Sequence, residues 1–217
     1  MSQFAIWLDT FFASFDRSIL EFWHSLAVSA GGILTPIMEL ISITGEKGIM
    51  MILLGLVLGL FPKTRKAGVC VVGAVACGAI ITNITLKPLI ARVRPYEASA
   101  LFNDWWRFVG ASAEGDLSFP SGHATATTAA MIGLTLSRGK KYLWLSVPYI
   151  ILMCASRNYL MVHYPTDVLA GVIAGTVGAF ASLYITKFIY KRMEGNPDNR
   201  FCKFVLGFDI RNLFKSK

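Results

Sequence analysis

The chain has 217 residues, of which 54% are hydrophobic and only 16% charged, with a mean hydropathy of +0.55 and a formal net charge of +8. Soluble domains carry about 25% charged residues, so this composition excludes an ordinary soluble globule and points to an integral membrane protein. The positive charge gathers in short stretches between apolar runs, which fits cytoplasmic loops and anionic lipid headgroups and argues against nucleic acid as a partner.

Taken in chain order, "MSQFAIWLDTFFASFDRS" sets Asp9 and Asp16 among aromatics and lacks the basic start of a cleavable signal peptide, so it reads as an interfacial amphipathic segment. A spanning helix needs about 20 mostly apolar residues. Segment 25–44 is predicted to span with a kink, being interrupted by Gly31, Gly32, Pro36 and Glu39. Segments 47–62, 67–88, 121–137, 142–161 and 166–190 follow as clearer spans. The expectation is an all-α polytopic membrane bundle of about six helices, with one domain over residues 1–190 and a basic amphipathic cytoplasmic tail over 191–217. The turns "PKTRK" (62–66) and "SRGKK" (137–141) and the tail fall on one side, which the positive-inside rule makes cytoplasmic. The long insert 89–120, with Trp105 and Trp106, then lies on the other side at the membrane boundary. Cys70, Cys77, Cys154 and Cys202 form no C-x-x-C pair and read as free thiols.

Three polar clusters need explaining, because ionisable residues near membrane depth are costly and usually functional. They are "KPLIARVRP" with Lys87, Arg92 and Arg94, "PSGH" with Ser121, Gly122 and His123, and "SRNYLMVHYPTD" with Arg157, His163 and Asp167. Each has a plainer reading. Lys87 and Arg94 suit snorkelling anchors, His123 a polar helix cap, His163 and Asp167 a structural pair four apart on one helix face, and Arg157 a partner for Glu97 or Asp116. The span count places all three on the non-cytoplasmic face, where cations are least expected. A helix start with a flexible Gly122 and a hydroxyl at Ser121 suits an anion. Fixed cations stabilise a transferring phosphoryl group. A carboxylate-held histidine makes a nucleophile, and a second histidine a general acid. The face offers no acidic cluster for Mg²⁺ and no Cys/His set for zinc, so metal-free phosphoester hydrolysis without a cofactor is expected.

The spacing Lys87-x6-Arg94-Pro95, Pro120-Ser121-Gly122-His123, then Ser156-Arg157-x5-His163-x3-Asp167 resembles the three-part signature of the type 2 phosphatidic acid phosphatase superfamily. That superfamily takes in membrane lipid phosphatases and the vanadium haloperoxidases. The signature covers residues 87–167, more than a third of the chain. The resemblance implies a helical core of that type, His163 as nucleophile, Asp167 as its orienting carboxylate and His123 as general acid. It gives Lys87, Arg94, Ser121, Gly122 and Arg157 to the phosphate oxygens. It also implies a phosphohistidine intermediate and a lipid phosphate or pyrophosphate substrate, with undecaprenyl pyrophosphate the first choice. Phosphatidylglycerophosphate, phosphatidic acid and a lipid A phosphate are the alternatives, and an anion or lipid transporter is the reading from another class.

Arg92 falls between signature positions and reads as a second phosphate or headgroup contact, with a surface charge as the alternative. Thr82 and Asn83 read as interhelical hydrogen-bonding groups and His24 as interfacial. Tyr96 and Tyr164 belong either to the pocket mouth or to an aromatic belt.

Overall fold

The computed structural model describes residues 1–213, and these contain no strand. Two N-terminal helices, α1 (Gln3–Phe11) and α2 (Ala13–Ser29), precede α3 (Thr35–Gly45) and α4 (Ile49–Gly59). α5 (Arg65–Ala79) continues through a π-helical turn at Ile80–Leu86 into α6 (Lys87–Ile90). The long insert is not a bare loop, because it holds α7 (Pro95–Ala98) and the amphipathic α8 (Ala100–Val109). Then come α9 (Gly122–Arg138), α10 (Leu143–Tyr159), α11 (Pro165–Glu194) and α12 (Arg200–Gly207).

Among the described residues three runs are long and apolar enough to cross a membrane, namely Thr35–Gly59, Arg65–Ala98 and Pro165–Glu194. The first corrects an expectation. Segments 25–44 and 47–62, read as two crossings, instead contribute to one bent run. Thr35 Oγ1 lies 3.1 Å from Tyr159 Oη. Gly45 then meets Met153, Gly48 meets Val75, and Gly59 meets Gly68, so the path moves steadily away from Tyr159. Lys47 and Gly48, with φ of 50° and 69°, bend the helix without reversing it. Residues 25–29 belong to α2, which ends at the Gly31–Gly32 turn, where both glycines have positive φ.

α5, α9 and α11 make the centre of the bundle, α9 antiparallel to α5 and parallel to α11. Small residues let these backbones touch, as membrane helices require when lipid supplies no hydrophobic drive between them. A Cβ on Gly175 would stand 2.5 Å from the Thr125 carbonyl oxygen, and one on Gly178 would stand 2.8 Å from Gly78 N. Several interior hydroxyls are paired across helices. Thr82 Oγ1 lies 3.0 Å from Thr125 Oγ1, Thr135 Oγ1 lies 2.8 Å from Ser146 Oγ, and Ser182 donates to the Cys70 carbonyl at 2.8 Å. Leu56, Trp144, Ile151, Ile173 and Phe180 face outward, giving the apolar exterior of a membrane protein.

The two ends differ in charge. At one end Arg138 donates to the Lys63 carbonyl at 2.8 Å, and Arg65 donates to the Val205 carbonyl in the last turn of α12 at 2.7 Å, so both basic turns and the tail gather there. Residues 214–217 of the expected tail lie outside the described residues. Lys87, His123, Arg157 and His163 all lie at the opposite end. All four cysteines are free.

The close α9–α11 contact gives a direct test. Gly175→Val should force the helices apart and lower stability by about 1–3 kcal/mol, read as a drop in the thermal midpoint of the detergent-purified protein. A variant as stable as wild type would contradict the packing described.

Candidate active site

Local backbone features aim the polar residues inward. α6 ends at Ala91, whose φ of 54° turns the chain so that Arg92 and Arg94 point into the protein, each 1% exposed. α9 starts at Ser121, whose hydroxyl caps the helix by accepting from Ala124 N at 3.4 Å. Between α10 and α11 the chain reverses within five residues, with Met161 at φ 57° two positions before His163. A left-handed methionine is costly and persists where the surroundings over-determine it. Ser121 N donates to the Asp167 carbonyl at 3.0 Å, tying the start of α9 to the start of α11.

Asp167 sits in the first turn of α11, fully buried, with its carboxylate surrounded by donors. Oδ2 accepts from Tyr164 N at 3.0 Å and from Ser118 Oγ, and Oδ1 accepts from Arg92 Nη1 at 2.6 Å. His163 Nδ1 lies 3.7 Å from Asp167 Oδ2 and 3.5 Å from Ser118 Oγ. The pair therefore meets differently from the expectation of one helix face: His163 lies in the turn ahead of α11 and only Asp167 is helical. On its other side, His163 Nε2 is 3.3 Å from Arg94 Nη1. Burial, then Arg94 and Arg157, hold the imidazole well below the ordinary histidine value of 6.5.

The cations are paired by two loop carboxylates. Asp116 takes Lys87 Nζ and Arg94 Nη2, while Glu114 takes Arg94 Nη2 at 3.1 Å and Arg157 Nη2. Arg157 also donates to Ser42, and its buried Nε has no partner among the described residues. Burial opposes the charge on Glu114, but Arg157, with Arg94 behind it, overcomes this and holds the carboxyl at about 2. Asp116 is likewise held low, against burial, by Lys87 and Arg94. Tyr96 braces the loop from behind, its hydroxyl 3.0 Å from Glu114 N and stacked in turn on Trp106.

A cavity of about 800 Å³ opens onto this end, lined by Lys87, Asn83, Gly122, His123, Arg157 and the two loop carboxylates among others. Lys87, Gly122, His123 and Arg157 thus share its wall. Arg94 and His163 lie deeper, where Glu114 and Asp116 form the lining. Ser121 is fully buried at the helix start beside Gly122.

Several expectations change. Arg92 is no headgroup contact: it is enclosed by Asp9, Asp16, Thr166 and Asp167, with the Tyr164 ring 3.9 Å from its guanidinium carbon. Arg157 pairs with Glu114, neither with Glu97 nor with Asp116. Thr82 bonds across helices as expected, whereas Asn83 lines the cavity. Tyr96 and Tyr164 are buried bracing residues, and His24 stacks on Trp105 away from the site. Ser118, Glu114, Asp9 and Asp16 were not legible as site residues. Ser118, two positions before Pro120, carried the nearest thing to a signal.

Comparison with known proteins shows the family. Residues 67–191 match the PAP2 superfamily. The chain is 36% identical over 138 residues to decaprenylphosphoryl-5-phosphoribose phosphatase of Mycobacterium tuberculosis, covering 62% of this chain and 71% of that protein. It is 30% identical over 182 residues to lipid A 4'-phosphatase of Porphyromonas gingivalis, covering 80% and 73%. It is 30% identical over 127 residues to undecaprenyl-diphosphatase of Sulfolobus acidocaldarius, covering 58% of each. No solved structure matches. The matched region holds every residue of the Lys87–Asp167 signature on an all-helical membrane fold, and the chain belongs to the PAP2 superfamily as a phosphoric ester hydrolase.

Proposed function

We propose that this protein hydrolyses a lipid pyrophosphate, undecaprenyl pyrophosphate first among them, at a site facing the non-cytoplasmic side of the cell membrane. The observation that carries the proposal is the placement of His163 Nε2 against Arg94, with Asp167 on the Nδ1 side of the ring. In that tautomer Nδ1 holds the proton and Nε2 has a lone pair facing the cations.

The reaction follows from those positions. The substrate phosphate displaces Glu114 and Asp116 and takes up Lys87, Arg94 and Arg157, with the Gly122 backbone and the Ser121 hydroxyl at the start of α9. His163 Nε2 bonds to phosphorus as the bond to the leaving oxygen breaks, and His123 gives that oxygen a proton. Water then attacks phosphorus, His123 takes the proton back, and the P–N bond breaks to release phosphate. Fixed cations answer the spread charge of the transferring group, so the cycle needs neither a metal nor a cofactor. Glu114, Asp116 and Asp167 are each already engaged by Lys or Arg.

The direction of the site rests on the two basic turns at the far end, which the positive-inside rule makes cytoplasmic. Residues 191–217 then form a basic tail on the cytoplasmic leaflet. A second substrate reading, a lipid A phosphate, is favoured by the extent of the match to the lipid A 4'-phosphatase, which covers 80% of this chain.

Purified enzyme should release phosphate in excess chelator, with kcat/KM highest for undecaprenyl pyrophosphate in a panel with lipid A, phosphatidylglycerophosphate and phosphatidic acid. His163→Ala and His123→Ala should each lower kcat by at least about 10²-fold. Activity abolished by chelation and restored by Mg²⁺ would contradict the mechanism. A better substrate elsewhere in the panel would reassign the lipid.

The protonation of His163 in the empty protein has its own test. Because the folded value lies below 6.5, the unfolded chain takes up a proton there that the folded chain refuses. Stability is therefore full above pH 6.5 and falls as the pH drops below it. The thermal midpoint should decline from pH 7 to 5, and His163→Ala should flatten that decline. An unchanged slope in the variant would contradict a neutral His163.

Topology is checked by Ala98→Cys, an exposed position, in a chain freed of native cysteines. An impermeant thiol reagent should label it in intact cells. Labelling only after lysis would reverse the orientation.

A further inference from the structure

α1 and α2 lie outside residues 67–191, the region matching the superfamily, yet they reach its most buried carboxylate. Asp16 of α2 is 2% exposed and is fully engaged. Its Oδ1 accepts from Thr166 N at 2.9 Å, and its Oδ2 accepts from Thr166 Oγ1 at 2.7 Å and from Arg92 Nη2 at 2.9 Å. Asp9 of α1 accepts from Arg92 Nε at 2.8 Å. The remaining face of the guanidinium, Nη1, is divided between Thr166 Oγ1 at 2.7 Å and Asp167 Oδ1 at 2.6 Å. Arg92 is thus a planar fork with every nitrogen assigned, two to the N-terminal helices and one to the start of α11.

This arrangement decides where Asp167 can sit. Ser118 and Tyr164 N hold Oδ2, and Arg92 holds Oδ1, so the carboxylate can neither rotate nor withdraw from His163. Arg92 is itself held from the N-terminal side by Asp9 and by Asp16, and Asp16 also grips Thr166, the residue before Asp167. Asp16 therefore fixes the carboxylate twice, through the guanidinium and through the adjoining peptide. We infer that Asp16 and Arg92 are positioning residues of the reaction, with the N-terminal helix pair holding the Asp167–His163 couple in its reactive orientation. The inference rests on the proposed reading of His163 as nucleophile and Asp167 as its orienting group. It assigns chemistry to a segment whose sequence carries only an amphipathic signal.

A structural anchor and a positioning device differ in how their losses combine. A double-mutant cycle with undecaprenyl pyrophosphate on the full chain in detergent separates them, using wild type, Asp16→Asn, Asp167→Asn and the double variant. Asparagine at 16 keeps the shape and the acceptor for Thr166 N while removing the charge that holds Arg92. Asp16→Asn should lower kcat roughly tenfold, leave KM and vanadate inhibition within about twofold, and cost nothing further once Asp167 is Asn. Arg92→Lys, which keeps the charge and loses the fork, should show the same kcat loss and the same non-additivity, and it decides the matter if Asp16→Asn does not fold. Losses that multiply independently, a change confined to KM, or a variant at wild-type kcat would overturn the positioning role. Asp167→Asn at wild-type kcat, or a wild type inert towards every lipid of the panel, would overturn the reading of the site and the positioning role with it.

Discussion

A cation taken out of water has to be paired, and this bundle takes four out of water at one end. Lys87, Arg92, Arg94 and Arg157 are each 5% exposed or less. Leaving one such charge without its partner costs about 3–5 kcal/mol, a large fraction of the whole stability of a domain. The surrounding structure is arranged to meet that demand. Asp9, Asp16 and Asp167 enclose Arg92, and Glu114 and Asp116 enclose the other three. The first set is permanent architecture. The second lines the cavity, where the proposed reaction has an incoming phosphate replace it.

That division explains why one segment has two kinds of arginine two positions apart. Arg92 and Arg94 are equally buried, but the left-handed turn at Ala91 sends one towards the N-terminal helices and the other towards His163. In the structure Glu114 and Asp116 neutralise Lys87, Arg94 and Arg157. On the proposed reading a phosphate of comparable charge takes their place, so exchange replaces one set of charge-assisted hydrogen bonds with another. The close helix contacts at Gly171 and Gly175 keep the two halves of the site in register. They fix the starts of α9 and α11 side by side, and the Ser121–Asp167 backbone bond locks them.

Much of this was legible in the sequence because it is local. Apolar runs, basic turns and the three polar clusters are each contiguous, and the helices and the end of the bundle where the clusters meet follow from them. What was hidden is non-contiguous. Asp16 meets Thr166 across the chain, and no spacing rule relates them. Glu114 and Asp116 sit in the loop after α8, where Asp116 was a candidate partner for Arg157, but the pairings found, Glu114 with Arg157 and Asp116 with Arg94, had no sequence mark. The bent run Thr35–Gly59 was misread as parts of two crossings, since an interrupted apolar stretch looks alike whether the chain bends or reverses. Arg92 was misread for a related reason. A basic residue inside a phosphate-binding signature looks like a ligand until its three carboxylates are seen.

The central claim is that phosphorus is carried on His163. It is tested most directly by mixing the enzyme with undecaprenyl pyrophosphate labelled in the terminal phosphate, quenching within a turnover in alkaline denaturant and mapping the label by mass spectrometry. Alkaline conditions preserve a phosphohistidine. The account predicts label on the peptide containing His163, on the imidazole. Label on another residue, or full turnover with no labelled protein at any quench time, would contradict it.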